Sequence, residues 1–334
     1  MVKIYLNKME FPFTFISEII NKYTHTVNTN TYPTKKDITL AKTKILSFLK
    51  LKKLKHKNLI IGNGSDELIS LLIATTANKH TIGFFTPTFT MYKKYCESYN
   101  KNFTELHLNN FKLNKNSLKK IKQCKIFFIC NPNNPNGNTF NKQQLLKLIT
   151  TYPKTYFVID EAYAPYSKSS LVNQINCNNN LIILKTLSKI GFAGNRLGIM
   201  ISNQKLITKY TKHKSPYNIG SKQIETIHKV LTKNLYKLIQ IGINRIHHTK
   251  HLVTQKLQAL KTIHQLKSKS NFILITNNTN NPITYKNIKI KTLTINNLLY
   301  QRISIGKVSD MLIFLKTIFK NEKRLLFRKK NPRK

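Results

Sequence analysis

Between residues 58 and 202 one arrangement recurs: a short, almost wholly apolar run, then a stretch whose apolar residues return every three or four positions. The runs lie at 59–61, 81–85, 125–130, 156–159, 181–184 and 197–202, with helix candidates at 66–77, 89–99 and 142–151. A run such as Lys125-Ile126-Phe127-Phe128-Ile129-Cys130, lacking polar alternation, needs cover on both faces. Strands of that kind alternating with helices predict an α/β fold, a mostly parallel central sheet sandwiched by helices. Such sheets gather ligands at the carboxyl ends of their strands, so residues just beyond each run are the first candidates for function.

Outside that stretch the pattern changes. An irregular start precedes helical spacing over 36–51, and from 221 a long helical periodicity runs to 260. Strand-like 271–276, a short run at 288–290, 302–305 and a final helix then predict a smaller α+β domain. The chain has 334 residues, more than the ~100–200 usual for one domain. The expected division is an N-terminal segment over 1–35 packed on the small domain, a large domain over 36–220, and an interdomain helix with the small domain over 221–334. No internal repeat appears, and 277–281 reads as a polar loop.

Fifty-seven Lys and Arg against 12 Asp and Glu give a formal charge of +45, which invites nucleic-acid or membrane-surface binding. The lysines are spread over the whole length, with an equally diffuse excess of Asn and Ile, and no nucleic-acid recognition module accompanies them. The charge therefore reads as compositional drift, and no nucleic-acid partner is expected. The one local basic cluster, 323–334, reads as a solvated terminus. Cys96, Cys124, Cys130 and Cys177 lack paired or metal-ligand spacing and predict free thiols. His247 and His251 stand four apart on a predicted helix, but without a carboxylate or thiolate nearby they read as polar surface and not as a metal site. No apolar run approaches the ~18 residues of a membrane span, and the first ten residues lack a signal-peptide core. A soluble cytoplasmic protein, with no membrane and no metal, is the expectation.

Two segments carry most of the chemistry: Phe157-Val158-Ile159-Asp160-Glu161-Ala162-Tyr163, and Thr186-Leu187-Ser188-Lys189-Ile190-Gly191-Phe192-Ala193-Gly194-Asn195-Arg196. Asp160 ends a strand, placing a carboxylate where it can keep a pyridine nitrogen protonated, and Tyr163 follows within reach of such a ring's phenolic oxygen. Lys189, on the turn after the next strand, can join an aldehyde cofactor as an imine and shuttle a proton as base, then acid. Ser188 and Arg196 offer a hydroxyl and a charge-assisted fork to a phosphate. From the other side, Gly62-Asn63-Gly64-Ser65-Asp66-Glu67 follows a strand and opens a helix, whose free N–H groups make an anion site. Taken singly, each fragment has a plainer account: a cap at Asp160, a solvated lysine at 189, an ordinary turn at 62–66. Their order and spacing together favour pyridoxal 5′-phosphate as cofactor.

These residues resemble the fold type I aminotransferases, and specifically the histidinol-phosphate aminotransferase branch. The resemblance covers nearly the whole chain: Leu6-Asn7 with Glu10 and Pro12, Tyr32-Pro33, the 62–67 turn, Pro87 with Met91-Tyr92, Asn131-Pro132-Asn133-Asn134-Pro135, Asp160 to Tyr163, Ser188-Lys189, Pro216-Tyr217-Asn218 and Arg302-Ile303-Ser304-Ile305-Gly306. It implies that Lys189 carries the cofactor, Asp160 partners its ring nitrogen, Tyr163 and Asn134 hold its phenolic oxygen, and Tyr92 stacks on its face. Ser65, Asp66, Ser188 and Arg196 would take the phosphate, with Tyr32 reaching across from a second subunit of a homodimer. Arg302 would hold the substrate carboxylate or phosphate, and Asn134 and Tyr32 would also border the substrate. Where the family has a second anion-binding arginine, Lys291 stands here, keeping charge but losing the bidentate fork.

The implied reaction exchanges an amino group between L-histidinol phosphate and 2-oxoglutarate, in histidine biosynthesis. Its rivals on the same framework are an aromatic amino acid aminotransferase and a threonine-phosphate decarboxylase. A remoter rival is a basic nucleic-acid-binding protein, motivated by charge alone.

Overall fold

The computed structural model describes residues 3–24, 27, 30–114, 116–278, 282–283, 285 and 287–330, with side chains to 322. Most of the polar loop at 277–281, residues 331–334 and the side chains of the basic cluster at 323–330 lie outside what is described, while the backbone of 323–330 continues the final helix. In chain order the elements begin with β1 (Ile4–Tyr5), α1 (Phe15–Thr24), α2 (Lys35–Phe48), β2 (Leu59–Asn63), α3 (Gly64–Ala74), β3 (Thr81–Thr86), α4 (Met91–Ser98) and β4 (Phe103–His107). The middle of the chain adds β5 (Cys124–Cys130), α5 (Lys142–Thr151), β6 (Tyr156–Asp160), β7 (Leu181–Thr186), β8 (Leu197–Ser202) and α6 (Gln204–Thr211). Then come α7 (Ser221–Val230), α8 (Lys233–Gln258), β9 (Ile263–Leu266), β10 (Phe272–Asn277), β11 (Ile288–Lys289), β12 (Lys291–Ile295), β13 (Leu298–Ser304) and α9 (Val308–Lys330).

The large sheet runs β2-β8-β7-β6-β5-β3-β4. β7, β6, β5, β3 and β4 pair in parallel, while β8 is antiparallel to both its neighbours. The carboxyl ends of β2, β5, β6 and β7 and the start of β8 therefore share one edge. Apolar runs suit the centre because both faces are covered: Phe127, Ile129, Phe157 and Ile159 join one core cluster, and Ile126, Phe128 and Val158 the other. Each such side chain contributes roughly 1.5–3 kcal/mol on burial.

A second, antiparallel sheet runs β12-β13-β10-β9, and β1 pairs in parallel with β11, tying the N-terminal segment to the chain's last third. Two local expectations need correction. The start is not irregular throughout: Phe15, Ile16, Ile19 and Ile20 have helical spacing, Ile16 and Ile20 are buried, and Thr14 Oγ1 donates to Glu18 within the first turn of α1. The periodicity over 221–260 is two helices, because Thr232 leaves helical geometry and its side chain accepts from Leu235 N to cap α8.

Candidate active site

Asp160 ends β6, and Lys189 lies in the short turn Ser188–Ile190 directly after β7, the parallel neighbour of β6. On the far side of β7, β2 and β8 bring Asn63, Gly64 and Arg196 to the same edge, where Gly64 N donates to Arg196 O at 2.7 Å.

The Asp160 carboxylate is enclosed, 2% exposed. Ala162 N donates to Oδ1 at 3.1 Å and the Tyr92 hydroxyl to Oδ2 at 2.9 Å, and no ion pair to it is found among the described residues. Burial pushes its pKa up to about 6, against the pull of the Tyr92 hydrogen bond. The Lys189 amine lies 5.7 Å from the centre of the Tyr163 ring and has no hydrogen-bond partner among the described residues. Burial lowers its pKa, the Arg302 charge adds to this, and Asp66 and Glu10 oppose it. An enclosed carboxylate without a countercharge and a half-buried amine without an acceptor are both costly. Together they describe a place that gains by taking in a cationic ring beside a reactive carbonyl carbon.

Tyr163 is buried edge-on to Phe272, and its hydroxyl donates only to the weak acceptor Met9 Sδ, at 3.7 Å. Asn134 is buried too, with Oδ1 accepting from Arg302 Nη1. Arg302 Nη2 reaches Asn7 O at 3.3 Å, but Nε is buried without a partner. Lys291 stands directly opposite Arg302 in the β12–β13 register, so the two side chains leave the same face of the small sheet.

At the other end, Arg196 Nη2 pairs with Asp66 Oδ2 at 3.0 Å. The α3 N-terminus opens on Gly64 at φ +74°, where a Cβ would lie 2.6 Å from Arg196 Nη2, so the guanidinium sits over a turn only glycine allows. Ser65 and Asp66 present their N–H groups from the first turn of that helix. The Thr186 hydroxyl lies 2.9 Å from Ser188 Oγ and 3.1 Å from the Leu197 carbonyl oxygen, and so holds the Ser188 hydroxyl at this end of the cleft. A cavity of about 460 Å³ adjoins Arg196, but its other walls include Asn63, Gln223 and the α1 residues Ser17, Ile20 and Asn21, and none of Ser65, Asp66, Ser188 or Lys189 lines it. The donor set and the α3 cradle fit a phosphorylated pyridine aldehyde.

One placement differs from expectation. The Tyr92 ring offers no free face for stacking: it is wholly buried, stacked on Phe128 at 4.9 Å with Phe89 edge-on at 5.6 Å. Close aromatic packing has turned it inward, and its hydroxyl on Asp160 is what reaches the cleft. Tyr32 is 71% exposed, its ring stacked on Tyr217 at 4.2 Å.

Several supporting groups escaped sequence reasoning. Gln223 Nε2 donates to Asn63 Oδ1 and to the carbonyls of Asn195 and Arg196, and Asn218 Nδ2 donates to both Glu67 oxygens. Glu161 accepts from Ser170, Leu171 N and Lys185 on the side away from the cleft. A polar residue opening a predicted helix, as Gln223 does near the start of α7, was the available signal, and it does not reveal a partner over a hundred residues away.

Comparison with known proteins gives one picture. The family model "Aminotransferase class I and II" matches residues 5–308. A histidinol-phosphate aminotransferase of Buchnera aphidicola subsp. Cinara cedri (strain Cc) is 36% identical over 282 residues, 82% of this chain and 77% of that protein. One from Vesicomyosocius okutanii subsp. Calyptogena okutanii (strain HA) is 32% identical over 324 residues, 92% of this chain and 88% of that protein. Among solved structures, the histidinol-phosphate aminotransferase of Clostridium acetobutylicum superposes with a TM-score of 0.84 at 21% identity, covering 96% of this chain and 99% of that one. The Sinorhizobium meliloti histidinol-phosphate aminotransferase, solved with pyridoxal-5′-phosphate, gives 0.85 at 15% identity, covering 97% and 92%.

Proposed function

We propose, from the premise that the chain belongs to the class I and II aminotransferases, that it exchanges an amino group between L-histidinol phosphate and 2-oxoglutarate, giving imidazole acetol phosphate and glutamate. The observation that carries the chemistry is the half-buried Lys189 amine, without a hydrogen-bond partner among the described residues, on the sheet edge that also holds buried Asp160. The relatives' substrate and the paired Arg302 and Lys291 support the choice of donor.

Pyridoxal 5′-phosphate, when bound, supplies an electron sink for the substrate's α-carbon. Asp160 holds positive charge at the ring nitrogen. Lys189, whose pKa burial lowers, would take the proton from the substrate α-carbon and deliver it two atoms along, on the far side of the amino nitrogen. The Tyr163 hydroxyl, held only by a thioether, and the Asn134 amide, whose nitrogen stays free when its oxygen takes Arg302, donate to the phenolic oxygen. The Ser65 and Asp66 N–H groups, Ser188 and Arg196 hold the cofactor phosphate, which competes with the Asp66 carboxylate for Arg196. Arg302 and Lys291 bind the anionic end of either substrate, and the unsatisfied Arg302 Nε is the donor left for it. Tyr92 acts through its hydroxyl on Asp160.

The working parts divide as 1–35, 36–220 and 221–334. The exposed Tyr32–Tyr217 pair supports a homodimer in which Tyr32 serves the partner's cleft. Among the described residues no helix is long and apolar enough to cross a membrane; a cytoplasmic place and small-molecule substrates as partners belong to the same reading, from the relatives' kind of enzyme.

A substrate panel tests the assignment. Histidinol phosphate with 2-oxoglutarate should turn over at least ~10-fold faster than tyrosine or phenylalanine. Equal rates on all three would replace the narrow assignment with a broad aminotransferase.

A further inference from the structure

The turn bearing Lys189 is held from behind by a residue the mechanism above does not use. Tyr166 closes the short turn Ala164–Tyr166, is 3% exposed, and lies edge-on to His247 of α8 with ring centres 6.1 Å apart. Its hydroxyl donates to the backbone carbonyl of Lys189 at 2.5 Å. The Lys189 turn spans only Ser188–Ile190 and ends on Gly191 at φ +107°, where a Cβ would lie 2.2 Å from Ile16 Cδ1, so no further helical turn follows to supply a donor. Tyr166 N also donates to Tyr163 O at 3.0 Å. One stretch, 160–166, thus fixes the carboxylate, the cleft phenol and the level of the lysine backbone.

On its outer side Tyr166, with Leu187 and Ile190, lines a cavity of about 1050 Å³ against α8. Water from that cavity could satisfy the Lys189 carbonyl if the hydroxyl were removed. What the tyrosine adds is a fixed direction, since a phenol anchored by ring packing points one way and water does not.

We propose that Tyr166 is a positioning residue for the Lys189 amine, holding the lysine peptide so that the side chain stays withdrawn from solvent above the cleft. This rests on Lys189 being the reactive amine. The groups that act on that amine are Arg302 on β13, Arg196 before β8, Asp66 on α3, Glu10 in the N-terminal segment, and Tyr163 and Asp160 after and at the end of β6. A slackened turn lets the amine drift from this enclosure toward water.

The test uses cofactor-free protein, so that it reads position and not turnover. Lys189 is methylated reductively across a pH series and followed by peptide mass spectrometry in wild type, Tyr166→Phe and Ile190→Val, with each variant's melting transition confirming a folded state. Phe keeps the ring against His247, and Val thins the same wall while leaving the hydroxyl bond. The midpoint of Lys189 reactivity should rise by about half a pH unit in Y166F, because water favours the charged amine, and stay in place in I190V. In loaded enzyme, Y166F should lower kcat several-fold while KM for the amino donor stays within about twofold. Superimposed wild-type and Y166F midpoints, or an equal shift in I190V, would overturn the proposal. Since the label needs neither cofactor nor substrate, that failure is distinct from failure of the aminotransferase assignment, which would appear as wild-type enzyme without turnover.

Discussion

At the phosphate end of the cleft Arg196 is already paired with Asp66, Gln223 holds the carbonyls of Asn195 and Arg196, and Glu67 grips Asn218. At the substrate end Arg302 keeps a buried Nε without a partner, and neither it nor Lys291 forms an ion pair among the described residues. The chain has only 12 acidic residues, and four of them, Asp66, Glu67, Asp160 and Glu161, stand on the two segments that bound the cleft on this side. The resident cofactor's phosphate is met by a prebuilt, mutually satisfied frame, whereas the visiting substrate's anion is met by a donor left unsatisfied, so that binding it relieves a standing cost.

Substitutions at the two ends should therefore behave differently. The largest effect belongs to neither: Lys189→Ala removes the group that moves the proton, and turnover should fall by roughly 10⁴-fold in a steady-state assay. Next, Asp160→Asn should cost on the order of 10²–10³ in kcat, with KM for both substrates nearly unchanged. Arg302→Ala should act on substrate capture, lowering kcat/KM by on the order of 10²-fold while the affinity for cofactor, measured by equilibrium titration, stays the same. If Arg302→Ala loosened the cofactor as much as the substrate, the contrast between the ends would be gone.

A smaller effect concerns stability. In cofactor-free protein the Asp160 pKa is raised from 3.8 to about 6, so the folded state holds its proton more tightly than the unfolded chain does. The contribution is intact below the lower value and lost as pH climbs through the higher one. Asp160→Asn without cofactor should accordingly be more stable than wild type at pH 7, by on the order of 1–3 kcal/mol, with the gap closing near pH 4. Urea melts at the two pH values read this directly. The smallest effect is at Lys291, whose exposed charge should be worth only about a few-fold in KM on change to Ala, with Lys291→Arg tightening binding by restoring a fork. A Lys291→Ala effect as large as that of Arg302→Ala would remove the ranking.

The cofactor end was the more legible in sequence, and the reason is geometric. Asp160 and the 62–67 turn directly follow an apolar run and Lys189 follows one within five residues, so a sheet with these strands running the same way places them together. Arg302 and Lys291 lie in strands with weak patterns: β12 is Lys-Thr-Leu-Thr-Ile, largely exposed, and its pairing with β13 depends on register. β4 and β9 escaped for a similar reason, as sheet-edge strands of mixed polarity. Tyr92 shows the limit within a motif. Its helical position was clear, yet whether ring or hydroxyl faces the cleft is decided by Phe89 and Phe128 packing around it. Tyr166 was invisible because it works on a backbone carbonyl, which leaves no trace in residue type, and Gln223, though a polar residue near a helix start, gave no hint of its distant partners.

The central claim is that one lysine among many is the reactive one. Borohydride reduction of the pyridoxal-phosphate-loaded enzyme, followed by peptide mapping, measures it most directly. Close to one equivalent of fixed label on the peptide containing Lys189, absent from Lys189→Ala, is the predicted result. Label scattered over surface lysines, or concentrated on any other residue, contradicts the account.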